Sequence, residues 1–251
     1  MTEKRDAWAP ALFHRAEVPV AEMADDPRGA WPERDVLEEI VDARRIARVD
    51  SVLRQRVVSV VPLFEHMDDP HNVGACLRTC EAYGLHDAWV VQREEVAKRA
   101  SPTAMSAQRW LDVRHCDDVH TAVDTLRADG FELWVSDLEA SEGLPTMALP
   151  ERVVLAFGNE AAGISPTLRA AADRRYRLPM FGMVQSLNLS VACAITLEQV
   201  VPRRRAALAS AGYPGDMPMA RMARVRRRWL EHGVRQARAV RAAYGDPDPD
   251  A

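Results

Sequence analysis

Three short polar clusters mark this chain of 251 residues, and the most informative one interrupts the apolar run of residues 178–199. Gln185, Ser186 and Asn188 lie where a predicted strand gives way to a predicted helix. Burying an amide or hydroxyl group without a partner costs about 1–3 kcal/mol. A residue that caps the helix explains one of the three, but not the whole cluster. The cluster therefore indicates backbone hydrogen bonding, a bound ligand, or both.

The second cluster follows a β-branched run, Val57 to Val61, that predicts a buried strand. A loop through Pro70 then leads into a predicted helix, with Asn72 at its start and Arg78 within it. A helix cap is the structural alternative for Asn72.

The third cluster ends the apolar run of residues 152–157. This predicted strand stops at Gly158 and is followed by Asn159 and Glu160, and Ser165 is expected to cap a further helix. A carboxylate near a helix start, as at Glu160, can be purely structural. Polar residues that gather after strands and before helices are typical of an open α/β sheet, whose ligand lies beyond the carboxyl ends of the strands.

The remaining pattern predicts the other elements of this sheet. Residues 101–110 are predicted as loop and short helix, with Trp110 as a core anchor and a base-stacking platform as the alternative. Residues 211–218 are a predicted linker, and the first 35 residues are expected to be irregular or disordered. The other strands are predicted over residues 87–92, 111–115, 131–135 and 176–180, and the helices over residues 119–128, 188–201 and 219–244.

The composition favours one α/β domain with extensions. A hydrophobic content of 47% is enough for a sizeable core. No apolar run reaches membrane-spanning length, and the amino terminus lacks the hydrophobic centre of a secretion signal, so a cytoplasmic location is expected. The four cysteines form no CxxC pair. Cys76 and Cys80 lie one helical turn apart among apolar residues, which favours core packing over a disulfide, and no metal is expected.

Together, three segments of the sequence resemble the SpoU, or TrmH-like, family of RNA ribose 2'-O-methyltransferases. The resemblance runs from about residue 44 to about residue 201, and the third segment is close to the form seen in the tRNA branch. It implies an α/β fold with a mostly parallel open sheet, helices on both faces, a carboxyl-terminal trefoil knot and helical extensions. The segments are VVSVVPLFEHMDDPHNVGACLRTCEAYG (57–84), RVVLAFGNEAAGISP (152–166) and LPMFGMVQSLNLS (178–190).

The resemblance also implies a cofactor, S-adenosylmethionine, and roles for individual residues. Arg78 either helps to deprotonate the ribose hydroxyl group or, as a cation, grips phosphate and stabilises a developing alkoxide. Asn72 would orient Arg78 or the ribose, Glu160 could position Arg78 or polar groups near the cofactor, and Gly182 would permit a tight loop. The implied catalytic residues are Arg78, Asn72, Glu160, Ser186 and Asn188, and the implied cofactor contacts are Gly158, Ile164, Met180 and Leu187.

The charge pattern fits an RNA-binding enzyme, although the net charge is −4. Residues 1–42 hold eleven acidic and five basic residues, whereas residues 203–241 hold eleven arginines against two acids. Such asymmetry favours binding of a phosphate backbone, with a solvated helix face as the alternative. The predicted domains are an acidic extension (1–43), a methyltransferase domain (44–202) and an Arg-rich RNA-binding tail (203–251). The predicted RNA contacts are Arg44, Arg45, Arg48, Arg221, Arg224, Arg226, Arg227 and Arg228.

Two features of the sequence point to different substrates. Gly74 lies where the tRNA-directed branch more often has serine, and NVGA is common in rRNA-directed relatives. The 56 residues before the first strand are too sparse for the separate RNA-binding domain of those relatives, and the Arg-rich tail resembles the tRNA branch. We therefore expect a homodimer, paired through the knot region, that methylates guanosine 18 in the D-loop of tRNA. Another tRNA or rRNA ribose is the runner-up.

A catalytically inactive RNA-binding protein with the same fold is the alternative of another class. The presence of all five implied catalytic residues argues against it. A base methyltransferase fits the third segment poorly, and a dinucleotide-binding dehydrogenase would need a GxGxxG sequence that does not open the first helix.

Overall fold

The computed structural model describes residues 26–31, 34–67, 69–92 and 105–245. In this part of the chain seven strands form one sheet, and all their pairings are parallel. The order across the sheet is β3-β2-β1-β6-β4-β7-β5. The mostly parallel α/β sheet that the sequence predicts is thus confirmed. The strands are β1 (Val60–Glu65), β2 (Asp87–Val91), β3 (Asp112–Cys116), β4 (Glu132–Ser136), β5 (Glu142–Gly143), β6 (Val153–Phe157) and β7 (Arg174–Arg177).

Helices connect these strands and extend the chain at both ends. Short 3-10 helices cover Val36–Glu39 and Leu144–Thr146. The α-helices are α1 (Ala43–Arg54), α2 (Pro70–Ala82), α3 (Met105–Gln108), α4 (Val119–Ala128), α5 (Pro166–Ala171), α6 (Leu189–Ser210), α7 (Met219–Glu231) and α8 (Ala237–Ala243).

The two faces of the sheet carry separate apolar cores, because successive side chains of a strand point to opposite faces. In β1, Val60 and Phe64 pack on the face covered by α2 and α6. Val61 and Leu63 point the other way, toward α4 and α5. Cys76 and Cys80 are fully buried in the first of these cores, which confirms their predicted packing role.

Helix α6 is longer than the sequence predicts. Its predicted end at Val201 is wrong, because the helix continues through Pro202 to Ser210. An internal proline costs about 3 kcal/mol in a helix, but Val200, Val201 and Arg204 on either side of it are buried. Packing therefore holds the helix together, and the domain boundary predicted between residues 202 and 203 falls inside it.

The two ends of the described chain share a third core. It joins Leu37 and residues of α1 to residues of α7, among them Met222 and Trp229. The single helix predicted over residues 219–244 is divided into α7 and α8 by a turn in which Gly233 has a positive φ of 84°. Residues 1–25 of the irregular segment predicted for the amino terminus lie outside the described residues.

Buried ion pairs reinforce this third core. The guanidinium group of Arg226 pairs with the carboxylates of Asp50 and Glu38, each at 2.6 Å. Arg241 pairs with Asp35 at 2.9 Å. Acidic residues from the first 50 positions thus neutralise part of the arginine-rich tail. In the described residues, no helix is long and apolar enough to cross a membrane.

Candidate active site

The predicted polar clusters meet at the carboxyl ends of β1 and β6, which are neighbours in the sheet. The chain runs from β1 to β2 and β3 on one side of this pair, and places β4, β5 and β7 on the other side. A crevice where the strand order reverses in this way is the usual ligand site of an open parallel sheet. The loop of residues 158–165, which follows β6, and the amino-terminal ends of α2 and α6 border this crevice.

Asn72 is the centre of a hydrogen-bonded group at this edge. Its side-chain nitrogen donates to Glu160 Oε1 at 2.7 Å, and its side-chain oxygen accepts from Asn188 Nδ2 at 3.4 Å. Asn188 is also the cap of α6, since its side-chain oxygen accepts from the backbone N–H of Ser190 at 2.9 Å. Residues that are 88 and 116 positions apart are thereby brought together.

Arg78 and Ser186 do not join this group. Arg78 is exposed on α2, six residues beyond Asn72, which is about 9 Å along the helix axis. In the described residues, neither Glu160 nor Asn72 forms a hydrogen bond with the guanidinium group of Arg78. Of the two roles predicted for Glu160, the hydrogen bond with Asn72 fits the positioning of a polar group at the site, and no hydrogen bond in the described part of the chain links Glu160 to Arg78. Ser186 lies in an exposed loop.

The loop of residues 158–165 closes tightly on itself. Asn159 and Gly163 exchange two backbone hydrogen bonds of 2.9 Å. The side-chain oxygen of Asn159 accepts from the backbone N–H groups of Ala161 and Ala162, each at 2.8 Å, and its nitrogen donates to the carbonyl of His66 at 2.7 Å. A Cβ atom on Gly158 would lie less than 3.0 Å from backbone atoms of Gly163. Only glycine fits there, because two backbone segments approach each other closely.

A buried carboxylate anchors the other end of this loop. Glu65, at the end of β1, is 1% exposed. It accepts from the backbone N–H of Ser165 at 2.9 Å and from its hydroxyl group at 2.5 Å. Ser165 also caps α5, as the sequence predicts, by accepting from Leu168 N–H at 3.0 Å. No role is predicted for Glu65 from the sequence, although an acidic residue at the end of an apolar run is a visible sign.

Helices α2 and α6 are also joined below the site. The hydroxyl group of Tyr83 donates to a carboxylate oxygen of Glu198 at 2.5 Å. Burial and this hydrogen bond raise the pKa of Tyr83 to about 12. A hydrogen bond with Cys193, together with burial, raises the pKa of the Cys76 thiol. Both groups therefore stay protonated and serve the packing of the two helices.

The segment of residues 178–188 connects the end of β7 to the start of α6. Because β4 and β6 separate β7 from β1, the segment crosses three strand spacings, or about 14 Å, to bring Asn188 beside Asn72. Three apolar side chains of its middle part face solvent, with Phe181 98%, Met183 100% and Val184 65% exposed. The predicted strand over residues 176–180 ends earlier, at Arg177, so Met180 belongs to this loop.

The implied cofactor contacts lie on two different loops. Gly158 and Ile164 belong to the loop after β6, and the Ile164 side chain is buried in the core against α4 and α5. Met180 and Leu187 are half-buried in the segment before α6. Gly182 has no positive φ, and no atom lies within 4 Å of an added Cβ. The structure therefore gives no reason why this position must be glycine.

The predicted RNA contacts fall into different environments. Arg226 is 5% exposed and held in its ion pairs, and Arg221 pairs with Asp87 and Asp112. The side chains of these two arginines are therefore held in ion pairs within the protein. Arg48 and Arg227 are half-buried. The side chains of the other four form no ion pair with the described residues, and these four are Arg44, Arg45, Arg224 and Arg228.

Comparison with known proteins links this geometry to a family. Residues 59–198 match the SpoU rRNA Methylase family. The chain is 34% identical over 169 residues to a tRNA (guanosine(18)-2'-O)-methyltransferase of Thermus thermophilus, covering 67% of this chain and 87% of the relative. It is similar to the A. aeolicus TrmH/SpoU tRNA modifying enzyme, with a TM-score of 0.68, 26% identity, and coverage of 80% and 100%. It is also similar to the AdoMet-bound rRNA methyltransferase from Sinorhizobium meliloti, with a TM-score of 0.51, 25% identity, and coverage of 62% and 60%.

Proposed function

The chain belongs to the SpoU methylase family, and on that premise we propose that it transfers a methyl group from S-adenosylmethionine to a ribose 2'-oxygen of tRNA. The single observation that carries the proposal is the hydrogen-bonded group of Asn72, Glu160 and Asn188 at the carboxyl ends of β1 and β6. One residue comes from each of the three segments that define the resemblance. The relative from Thermus thermophilus, whose name specifies guanosine 18, favours that nucleotide as the target.

The cofactor would be held by the loop after β6 and by the segment before α6. S-adenosylmethionine, when bound, supplies an activated methyl group on a sulfonium. The closed loop at Gly158 fits this role, because its backbone is fixed by Asn159 while the Ile164 side chain is turned into the core. Main-chain groups of residues 158–165 are then the groups available for contact, and Met180 and Leu187 would add contacts from the segment before α6.

Arg78 would act as a cation. Arginine side chains stay protonated in proteins, and Arg78 is exposed and has no acidic partner in the described residues. A free guanidinium group can grip the phosphate next to the target ribose and stabilise the alkoxide that forms as the hydroxyl group loses its proton. Asn72, fixed by Glu160, would orient the ribose, and Asn188 and Ser186 would shape the site around the methyl group.

We further propose a trefoil knot and a homodimer for this chain. Residues 178–188 cross from β7 past the ends of β4 and β6 before α6 begins. This path supports the knot, since a trefoil knot requires a late segment of the chain to pass through an earlier loop. The full exposure of Phe181 and Met183 supports the dimer, because contiguous exposed apolar side chains usually mark an interface. This loop is the proposed contact with the second copy.

The extensions would bind the RNA backbone together rather than separately. The shared core of α1 and α7 supports this, since it places Arg44 and Arg45 on the same unit as Arg224 and Arg228. This proposal modifies the predicted RNA-binding tail of residues 203–251 by adding α1 and by removing Arg221 and Arg226. An enzyme acting on tRNA would work in the cytoplasm.

The test is transfer of labelled methyl from S-adenosylmethionine to unmodified tRNA and, separately, to rRNA, followed by mapping of the modified nucleotide. We expect 2'-O-methylguanosine in the D-loop of tRNA. Label on rRNA alone would contradict tRNA as the substrate but would support methyl transfer to RNA. An absence of label on both RNAs would contradict tRNA methylation, and a failure to bind S-adenosylmethionine as well would favour the RNA-binding alternative.

The variant Arg78→Ala tests the proposed role of the guanidinium group in the reaction. It should abolish turnover while leaving the thermal midpoint unchanged, because the side chain is exposed and has no partner in the described residues. Full turnover by this variant would remove Arg78 from the proposed chemistry.

A further inference from the structure

The turn between α7 and α8 gathers three arginines from three separate segments. Arg228 lies in the last turn of α7, Arg45 comes from α1, and Arg109 directly follows α3. None of the three has an ion-pair partner within the described ranges, in contrast to Arg226 and Arg241, which are paired. We refer to Arg45, Arg109 and Arg228 as the arginine cluster.

Aromatic contacts fix the position of Arg109. The Nε2 of His232, at the end of α7, donates to the backbone carbonyl of Arg109 at 3.1 Å. The ring of Trp110 packs edge-on against His232 and against Trp229, with centroids 5.1 Å apart in both pairs. Residues 109 and 110 are therefore held against the end of α7, and Trp110 serves as a core anchor.

Arg45 reaches the same place from α1. A Cβ atom on Gly233 would lie 2.8 Å from Nη1 of Arg45. The guanidinium group therefore rests against the turn that follows His232, where Gly233 has a φ of 84°. A larger residue at 233 would displace the arginine.

The electrostatic environment of His232 agrees with this arrangement. Burial lowers the pKa of His232, and the positive charges of Arg109, Arg228 and Arg45 lower it further. All three arginines therefore act on the same imidazole. A helix carboxyl end favours one nearby cation, which explains Arg228 but not the convergence of three.

We propose that the arginine cluster binds a phosphate group of the RNA backbone. The proposal rests on the proposed function, because it names a contact of the same tRNA substrate. Guanidinium groups match phosphate oxygens through paired hydrogen bonds, and the exposed side chains of Arg109 and Arg228 leave that geometry open. Arg109 lies outside α1 and the arginine-rich tail, so the proposed RNA contact surface extends to the segment between β2 and β3.

The test measures binding of an unmodified tRNA transcript at several KCl concentrations. Arg109→Gln and Arg228→Gln should each weaken binding about five-fold and reduce the slope of log K against log salt by about 1, as expected for loss of one phosphate contact. Arg109→Lys keeps the charge and should retain most of the slope. Affinity for S-adenosylmethionine and the thermal midpoint should not change.

The control is Arg152→Gln, which removes an exposed arginine that directly precedes the central strand β6, three strands away from β3 in the sheet, and packs over Phe131. It should leave the salt slope unchanged. Wild-type affinity and slope in both cluster variants would overturn the inference while the proposed function stands. If the wild-type protein does not bind tRNA at all, both fail. If it binds tRNA without methylating it, only the function fails, and the variants still decide the phosphate site.

Discussion

The Gly158→Ala variant tests whether the closed loop after β6 is the cofactor site. The added Cβ would lie closer than 3.0 Å to the carbonyl group of Gly163 and to the backbone nitrogen of Ile164. Contacts this short with backbone atoms cannot be relieved by moving a flexible side chain. The loop must therefore open, and the two hydrogen bonds between Asn159 and Gly163 must lengthen or break.

The size of the effect follows from these contacts. Two backbone hydrogen bonds contribute about 1 kcal/mol each, so opening the loop costs about 2 kcal/mol. If binding of S-adenosylmethionine requires the closed loop, its dissociation constant should rise about 30-fold, because 1.4 kcal/mol corresponds to a factor of ten. Affinity for tRNA should stay within about two-fold, since the proposed RNA contacts lie elsewhere.

Titration calorimetry with S-adenosylmethionine measures this change directly. The control is Gly143→Ala in β5, where an added Cβ meets only Pro145 at an ordinary distance of 3.8 Å. It should bind the cofactor as the wild type does. A Gly158→Ala protein with wild-type cofactor affinity and an unchanged thermal midpoint would refute the reasoning.

Three further predictions concern groups buried around the site and in the third core. Glu65→Gln replaces one acceptor oxygen by an amide nitrogen that cannot accept a hydrogen bond from Ser165. Steady-state kinetics should then show a higher KM for S-adenosylmethionine with a smaller change in kcat. An unchanged KM would contradict the anchoring role of Glu65. Arg226→Ala leaves two carboxylates without their partner and should lower the free energy of unfolding in urea by about 3 kcal/mol, whereas exposed Arg224→Ala should change it by less than about 0.5 kcal/mol. Burial would raise the pKa of Asp26, but hydrogen bonds from neighbouring arginines lower it from 3.8 to about 2. Its contribution to stability should therefore be present above about pH 4 and disappear as the pH falls toward 2, and Asp26→Asn should lose that dependence in acid-unfolding curves.

The centre of the sheet could be predicted from local sequence, because β1, β2, β4 and β6 are short, mainly apolar runs, whereas the two-residue β5 was not predicted. The predicted strands lie within about four residues of the observed ones, and the largest shift is in the first, which is predicted over residues 57–61 and observed as β1 (Val60–Glu65). The meeting of Asn72, Glu160 and Asn188 also followed, since carboxyl ends of parallel strands share one edge of a sheet. The full length of helix α6 could not be predicted, because proline usually ends a helix, whereas here buried residues on either side of Pro202 keep the helix intact.

The charge pattern was informative but incomplete when it was counted by segment. The first 42 residues are acidic and the tail is rich in arginine, but ion pairs inside the molecule neutralise part of these opposite charges. Arg226 pairs with Asp50 across 176 positions, and Arg241 pairs with Asp35 across 206. No sequence pattern specifies pairs at such separations. Only the fold shows which arginines remain available for phosphate.

The most direct test of the central claim replaces the acceptor atom itself. A tRNA transcript that carries 2'-deoxyguanosine at position 18 lacks the hydroxyl group that the proposed reaction methylates. With this tRNA and labelled S-adenosylmethionine, the wild-type protein should bind with normal affinity and incorporate no methyl group, while the matching ribose-containing tRNA accepts one. Equal incorporation into both transcripts would contradict methylation of the guanosine 18 ribose.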